Sequence, residues 1–267
     1  MLGRFDTGSG GYKFLIAITR EVSRSIIHCE LTHLERIPID VQRARAQHAE
    51  YEAALKQLGL AVLSLPEEPT LADSVFVEDP ALVLDECAII LRPGAVSRKP
   101  ETESIVIALT PYRKLFTIQA PARVDGGDIL RIGKQIYIGL SSRSDTNAIE
   151  QIQDFLLPYG YEVHSVIVTG CLHLKSAVTK IADNTLLINP AWVDKNNFAG
   201  MKFIEIDPSE AYAANALLIG DTILYPKAFP KTRKKLEVAG IKIVDVNADE
   251  LAKAEGALTC CSLIFEN

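Results

Sequence analysis

Apolar and polar positions along the chain fall into two interleaved patterns. Four stretches, ALVLDECAIILRPG (81–94), DILRIGKQIYIGLS (128–141), AVTKIADNTLLINP (177–190) and NALLIGDTILYP (215–226), each read as an apolar run, a polar turn, a second apolar run, then Gly or Pro. Their turns, Asp85-Glu86, Gly133-Lys134, Ala182-Asp183-Asn184 and Gly220-Asp221, predict β-hairpins. Between them, YEAALKQLGLAVLSLP (51–66), IQDFLLPYGYEVHSVIV (152–168) and TRKKLEVAGIKIVDVN (232–247) each read as helix, glycine, strand. Ile149, Ile152 and Leu156 recur at helical spacing, and Gly59, Gly160 and Gly240 fall where a left-handed residue ends a helix. SIVIALTPYRKLFTIQ (104–119) is a poorer copy without the glycine.

The repeating unit is therefore helix, strand and hairpin, recurring roughly every 40–50 residues, within the range of solenoids and propellers. An open row of units would expose strand edges. The first strand, Lys13 to Thr19, and the last, Leu258 to Phe265, lack hairpin partners, so pairing them would close a ring of about five units. An open mixed α/β sheet between two helix layers fits the pattern too. Residues 1–12, MLGRFDTGSGGY, read as a flexible arm, leaving 13–267 as a single domain.

Composition narrows the class. The 267 residues are 48% hydrophobic and 23% charged, enough for a packed core, and the net charge of −6 comes without a basic stripe, so nucleic acid is not an expected partner. No apolar run has the length of a membrane span or a secretory signal. The cysteines, Cys29, Cys87, Cys171, Cys260 and Cys261, are odd in number and irregularly spaced. Adjacent cysteines bridge poorly because a disulfide needs its α-carbons further apart, so free thiols in a reducing cytoplasm are expected. HCELTH (28–33) has metal-ligand residue types without zinc-site spacing, and metal is set aside.

Polar groups inside apolar runs need a reason. In DSVFVEDP (73–80), Asp73, Glu78 and Asp79 crowd Val75, Phe76 and Val77; the plainer alternative is a strand end with solvated acids. VDGGDIL (124–130) flanks Gly126-Gly127 with Asp125 and Asp128, either a plain turn or a close backbone approach. CLHLKSAV (171–178), read as a strand, sends His173 and Lys175 to one face. Arg98 and Arg143 follow hairpins at matching points of two repeats, and a solvated role suits either. On the terminal strand, Cys260 and Cys261 would point to opposite faces, so one can be core and the other exposed, and at most one is expected to react.

FVEDPAL, VDGGDIL, LHLKS, AAN (213–215) and GALTCCS occur in an order and spacing that resemble the dimethylarginine dimethylaminohydrolases of the guanidino-group-modifying, or pentein, superfamily. The resemblance runs from about Lys13 to Phe265. It implies a five-module α/β propeller and hydrolysis of an ω-methylated arginine to citrulline and dimethylamine, with no cofactor. It implies Cys260 as nucleophile, His173 as general acid/base and Asp125 beside them. Asp79 would grip the guanidinium, with Asp73 and Glu78 as further polar contacts. Arg98 and Arg143 would bind the α-carboxylate, and the carbonyls of Leu31, in a lid loop, and Ala254 would receive the α-amino group. Asp125 stands where some relatives have Glu. An arginine deiminase would share this core, and a non-catalytic propeller that binds a macromolecule is the reading of another class. The oligomeric state is open.

Overall fold

The computed structural model describes residues 14–267, so the expected arm over residues 1–12 and the start of the first strand at Lys13 lie outside the described residues. Strand β1 (Leu15–Arg20) comes first among the described residues and helix α1 (Val41–Gln57) follows, capped by Asp40, whose carboxylate accepts the Arg43 N–H. Strand β2 (Ala61–Leu65) then lies parallel to β1. Strands β3 (Ala81–Val83) and β4 (Ala88–Ile90) form a hairpin; after α2 (Thr102–Leu109), β5 (Leu115–Thr117) pairs parallel with β4. The same order recurs in β6 (Ile129–Ile132), β7 (Gln135–Leu140), α3 (Thr146–Leu156) and β8 (Glu162–Ile167).

A short helix α4 (Leu174–Ala177) leads into β9 (Val178–Ala182) and β10 (Thr185–Ile188), joined to β11 (Lys202–Glu205) by only a single 3₁₀ turn. Strands β12 (Leu217–Ile219) and β13 (Thr222–Pro226), α5 (Pro230–Val238) and β14 (Lys242–Val246) repeat the motif. After α6 (Asp249–Ala252), β15 (Leu263–Glu266) pairs antiparallel with β1, Ile16 opposite Phe265 and Ile18 opposite Leu263. The described residues thus form five separate three-stranded sheets, each an antiparallel pair plus one parallel strand, and not one open mixed sheet.

All four expected hairpins are present, and Gly59, Gly160 and Gly240 end their helical segments at φ 92°, 73° and 77°. A Cβ there would meet nothing within 4 Å, so the backbone angle, not space, demands glycine. Helix α3 buries Ala148, Ile152 and Leu156 with Ile149 packed at the edge, the stripe its periodicity predicts. The repeat reading missed β11, which has no preceding helix to announce it.

Five apolar clusters fill the spaces between sheets. Ile16, Ile18, Phe265, Ala88 and Ile90 join the β15–β1–β2 sheet to the β3–β4–β5 sheet. Ile89 and Ile138 join the latter to β6–β7–β8, Tyr137 and Leu186 join that to β9–β10–β11, and Leu187 and Ile223 join that to β12–β13–β14. Leu224, Val246 and Ala17 link the last sheet back to the first. Among the described residues no helix is long and apolar enough to cross a membrane.

Candidate active site

Three of the expected strand placements give way to turns. DSVFVEDP forms no strand: residues 72–75 and 77–80 are turns, and Val75, Phe76 and Val77 are buried. His173 precedes α4 instead of lying in a strand. Cys260 and Cys261 sit in a 3₁₀ turn (Thr259–Cys261) just before β15, not on it. In each case the apolar run packs inward from irregular backbone, which periodicity alone does not separate from a short strand. The two thiols still diverge: Cys260 lines one cavity with His173, and Cys261 lines another with Tyr51 and Leu258. Both are buried, so the exposed position that a strand would allow one of them is not taken up.

The cavity shared by Cys260 and His173 is also lined by Asp73, Asp79, Arg98, Arg143 and Ala254. Asp73 and Asp79 are buried, not solvated strand ends. One Asp79 oxygen accepts from Arg98 Nη1 at 2.5 Å and the other from the Gly127 N–H at 2.8 Å. Burial would raise the Asp79 carboxyl, but Arg98 and then His173 outweigh it and hold it at about 2. Burial pushes Asp73 up from the ordinary carboxylate range, with Arg98 opposing. Glu78, also raised by burial, pairs with Lys175, and its N–H donates to the Cys260 carbonyl at 3.1 Å.

His173 Nε2 lies 3.0 Å from Asp125 Oδ2, while Asp125 Oδ1 accepts from the Gly94 N–H at 2.7 Å. Burial would lower the imidazole, yet Asp79, the Asp125 hydrogen bond and Asp128 together raise it to about 9. A proton therefore rests on this ring at neutral pH. Cys260 is the opposite case: burial first, then Glu78 and Asp79, pushes its thiol up to about 12.

The Gly126-Gly127 pair is a close backbone approach. A Cβ on Gly127 would lie 2.4 Å from His173 Nδ1, and one on Gly126 would lie 2.0 Å from the Glu78 carbonyl oxygen. Asp128 follows, fully buried, accepting from the Leu174 N–H at 2.9 Å and from the Ser141 and Ser144 hydroxyls, each at 2.6 Å. It thereby fixes the backbone beside His173. Asp128 was visible as part of the glycine motif, but nothing in the sequence marked it as a support for the histidine.

The two arginines differ. Arg98 is buried and its donors meet Asp79, Glu101 and the carbonyls of Asp73 and Phe76. Arg143 meets the Thr32 hydroxyl at 3.1 Å and stands 3.8 Å from Asp125. Leu31 packs at the edge of the core cluster around Cys260, and its neighbour Glu30 lines the cavity. Sequence reasoning missed Glu101, Glu30 and Glu255, whose partners are remote or only locally patterned. Among the described residues, Asp79, Asp125 and His173 bring candidate metal-ligand atoms within 4.8 Å of one another. A protonated His173 offers no lone pair to a metal, whereas the carboxylate oxygens keep lone pairs free for further donors, so the set fits a cationic organic ligand better than a metal ion.

A buried thiol, an imidazolium and several carboxylates around one small cavity define a cysteine-dependent enzyme suited to a cationic substrate. The family model described as "N,N dimethylarginine dimethylhydrolase, eukaryotic" matches residues 32–197. The chain is 35% identical over 256 residues to the N(G),N(G)-dimethylarginine dimethylaminohydrolase of Pseudomonas aeruginosa, covering 95% of this chain and 100% of that protein. It is 34% identical over 248 residues to the enzyme of that name from Streptomyces coelicolor, covering 92% and 95%. A solved structure of the Pseudomonas aeruginosa protein, a cysteine-to-serine mutant complexed with citrulline, superposes with a TM-score of 0.90 at 35% identity, covering 94% of this chain and 99% of that one. The chain belongs to the dimethylarginine dimethylaminohydrolase family, and its fold is an α/β pentein fold of several small sheets.

Proposed function

We propose that the protein hydrolyses an ω-methylated arginine to citrulline and dimethylamine through a covalent intermediate on Cys260. The observation that carries this reading is the meeting of Cys260, His173, Asp79, Asp73 and Arg143 at one cavity from distant parts of the chain. The relatives' named activity and the citrulline held by a relative of the same fold support it.

A guanidinium carbon is deactivated by delocalised charge and needs a strong nucleophile held close. Asp79 is the low-lying carboxylate and, with Asp73, grips the cation by charge-assisted hydrogen bonds; Glu78, expected as a further contact, pairs with Lys175 at a neighbouring cavity and acts on the site through its charge. Asp125 holds the imidazole in place. The Cys260 thiol is neutral in the resting site; the arriving cation offsets the Glu78 and Asp79 charges and favours the thiolate, whose proton leaves to solvent. Sulfur adds to the guanidinium carbon, and His173, already protonated, gives its proton to the departing dimethylamine. The neutral ring then takes a proton from the water that attacks the S-alkylthiouronium. Collapse of that adduct frees citrulline and restores the thiol. The Leu31 and Ala254 carbonyls receive the α-amino group. Arg98 and Arg143 face the α-carboxylate, with Arg143 taking the larger share because the Arg98 donors already serve four protein groups.

Residues 13–267 act as one domain. The five sheets close into a pseudo-fivefold propeller, a reading supported by five apolar clusters that link each sheet to the next and the last to the first. The five free cysteines favour a cytoplasmic protein.

The test is a substrate panel of arginine, monomethylarginine and asymmetric dimethylarginine, with citrulline and amine both identified. Dimethylamine release, abolished by Cys260→Ser and His173→Ala and largely kept by Cys261→Ser, is the expected result. Preferred turnover of arginine would make the protein a deiminase, and activity surviving in Cys260→Ser would reject the covalent route.

A further inference from the structure

Apart from Leu31, which packs at the edge of the core cluster, and half-buried Leu34, the side chains of residues 30–36, the expected lid, are exposed. Glu30, Thr32, His33, Glu35 and Arg36 are exposed, while His33 and Leu34 border a largely apolar cavity of about 360 Å³. Its hold is polar. The backbone N–H groups of Thr32, His33 and Leu34 donate to the carboxylate of Glu255, at 3.0, 2.5 and 2.6 Å. Three consecutive N–H groups converging on one carboxylate form an anion nest, and each bond is charge-assisted. Other ties flank it: the Glu30 N–H donates to Asp73 at 3.0 Å, the Ser97 hydroxyl to the Glu30 carboxylate at 2.5 Å, Arg143 to the Thr32 hydroxyl at 3.1 Å, and Arg36 to the Ile27 and Cys29 carbonyls at 2.8 and 2.6 Å, but none of these reaches the backbone of residues 32–34.

Glu255 occupies this place under strain. It is the one non-glycine residue with positive φ among the described residues, at 56°. Gly256 beside it packs so closely on Phe76 that a Cβ would lie 2.2 Å from the ring, which leaves residues 254–256 little freedom to relax. A strained residue whose side chain takes three donors from another loop is held there by that contact.

We propose that Glu255 is a positioning residue that latches the lid shut and so places the Leu31 carbonyl opposite that of Ala254. The assignment of those two carbonyls to the α-amino group rests on the proposed function; the latch itself does not. A bound ammonium would bridge residues 31 and 254, and the latch already ties their chain neighbours, 32–34 and 255. The closed arrangement is thus set before substrate arrives, which favours binding of the amino-acid end.

The test is amide hydrogen exchange of the full chain without substrate, comparing wild type with Glu255→Gly and Glu255→Gln. Glycine suits φ 56° and removes the carboxylate, so global stability is kept while exchange at Thr32, His33 and Leu34 rises by on the order of tenfold or more. Glutamine keeps one accepting oxygen and gives a smaller rise. KM for the amino-acid substrate should rise more than kcat falls in Glu255→Gly. Unchanged exchange at the three amides overturns the latch, as does a rise that only follows a general loss of stability. Faster exchange with an unchanged KM overturns the positioning role. The exchange measurement needs no substrate, so a wrong choice of guanidine would leave it standing.

Discussion

Burial alone would strip the proton from His173; the carboxylates of Asp79, Asp125 and Asp128 keep it there, up to about pH 9. The free imidazole titrates near 6.5, so the folded state binds this proton more tightly than the unfolded chain. The stabilisation is fully present below about pH 6.5, declines as pH rises and is gone above about 9. Comparing unfolding free energies of wild type and His173→Gln between pH 6 and 10 should reveal a difference of up to about 3 kcal/mol that vanishes at the alkaline end. A pH-independent difference would place the proton elsewhere. At this scale the sequence marked the groups that meet at the cavity and was mute about their supports. Cys260, His173 and Asp79 stand in short motifs, whereas Glu101 and Glu255 act on partners their own neighbourhoods do not announce. Glu101 sits three residues from Arg98, a spacing that any exposed helix would also show.

The glycine pair before β6 shows how an element's shape serves the chemistry. Gly127 lets the backbone reach Asp79 and leaves no room between itself and the imidazole. Gly127→Ala would drive a methyl into His173 Nδ1, and a ring displaced by about 1 Å loses, under the proposed mechanism, its aim at the leaving amine. Turnover is expected to fall about a hundredfold, with the larger part in kcat; near-normal kcat would show that the ring can yield without loss. Hairpins and helix ends were legible because their signals are local: a polar turn between apolar runs, or a glycine that the backbone angle demands. Strand β11 and the turns at 72–80 and 259–261 were not, since an apolar run of a few residues buries itself equally well from a strand or an irregular loop.

At the scale of the molecule, β15 stands where every other sheet has the neighbouring half of a hairpin. It comes from the far end of the chain, and with β1 completes a sheet whose cluster buries Leu263 and Phe265 against Ile16 and Ile18. Removing residues 263–267 deletes those two side chains, each worth about 1.5–3 kcal/mol of burial, and bares the edge of β1. Against a total stability of roughly 5–15 kcal/mol, cooperative unfolding should be lost or its midpoint lowered by more than ten degrees. A truncated chain melting like the full one would remove the case for closure. The pairing of chain ends was foreseeable from two unpartnered apolar runs; which sheets adjoin was not, because clusters between sheets leave no mark on local periodicity. Cys260 lies far along the chain from His173, and β15, which it closely precedes, is anchored by pairing with β1. Under the proposed mechanism, a chain in which those strands have not paired holds sulfur and imidazole apart, so reactivity depends on long-range assembly and not on any local segment.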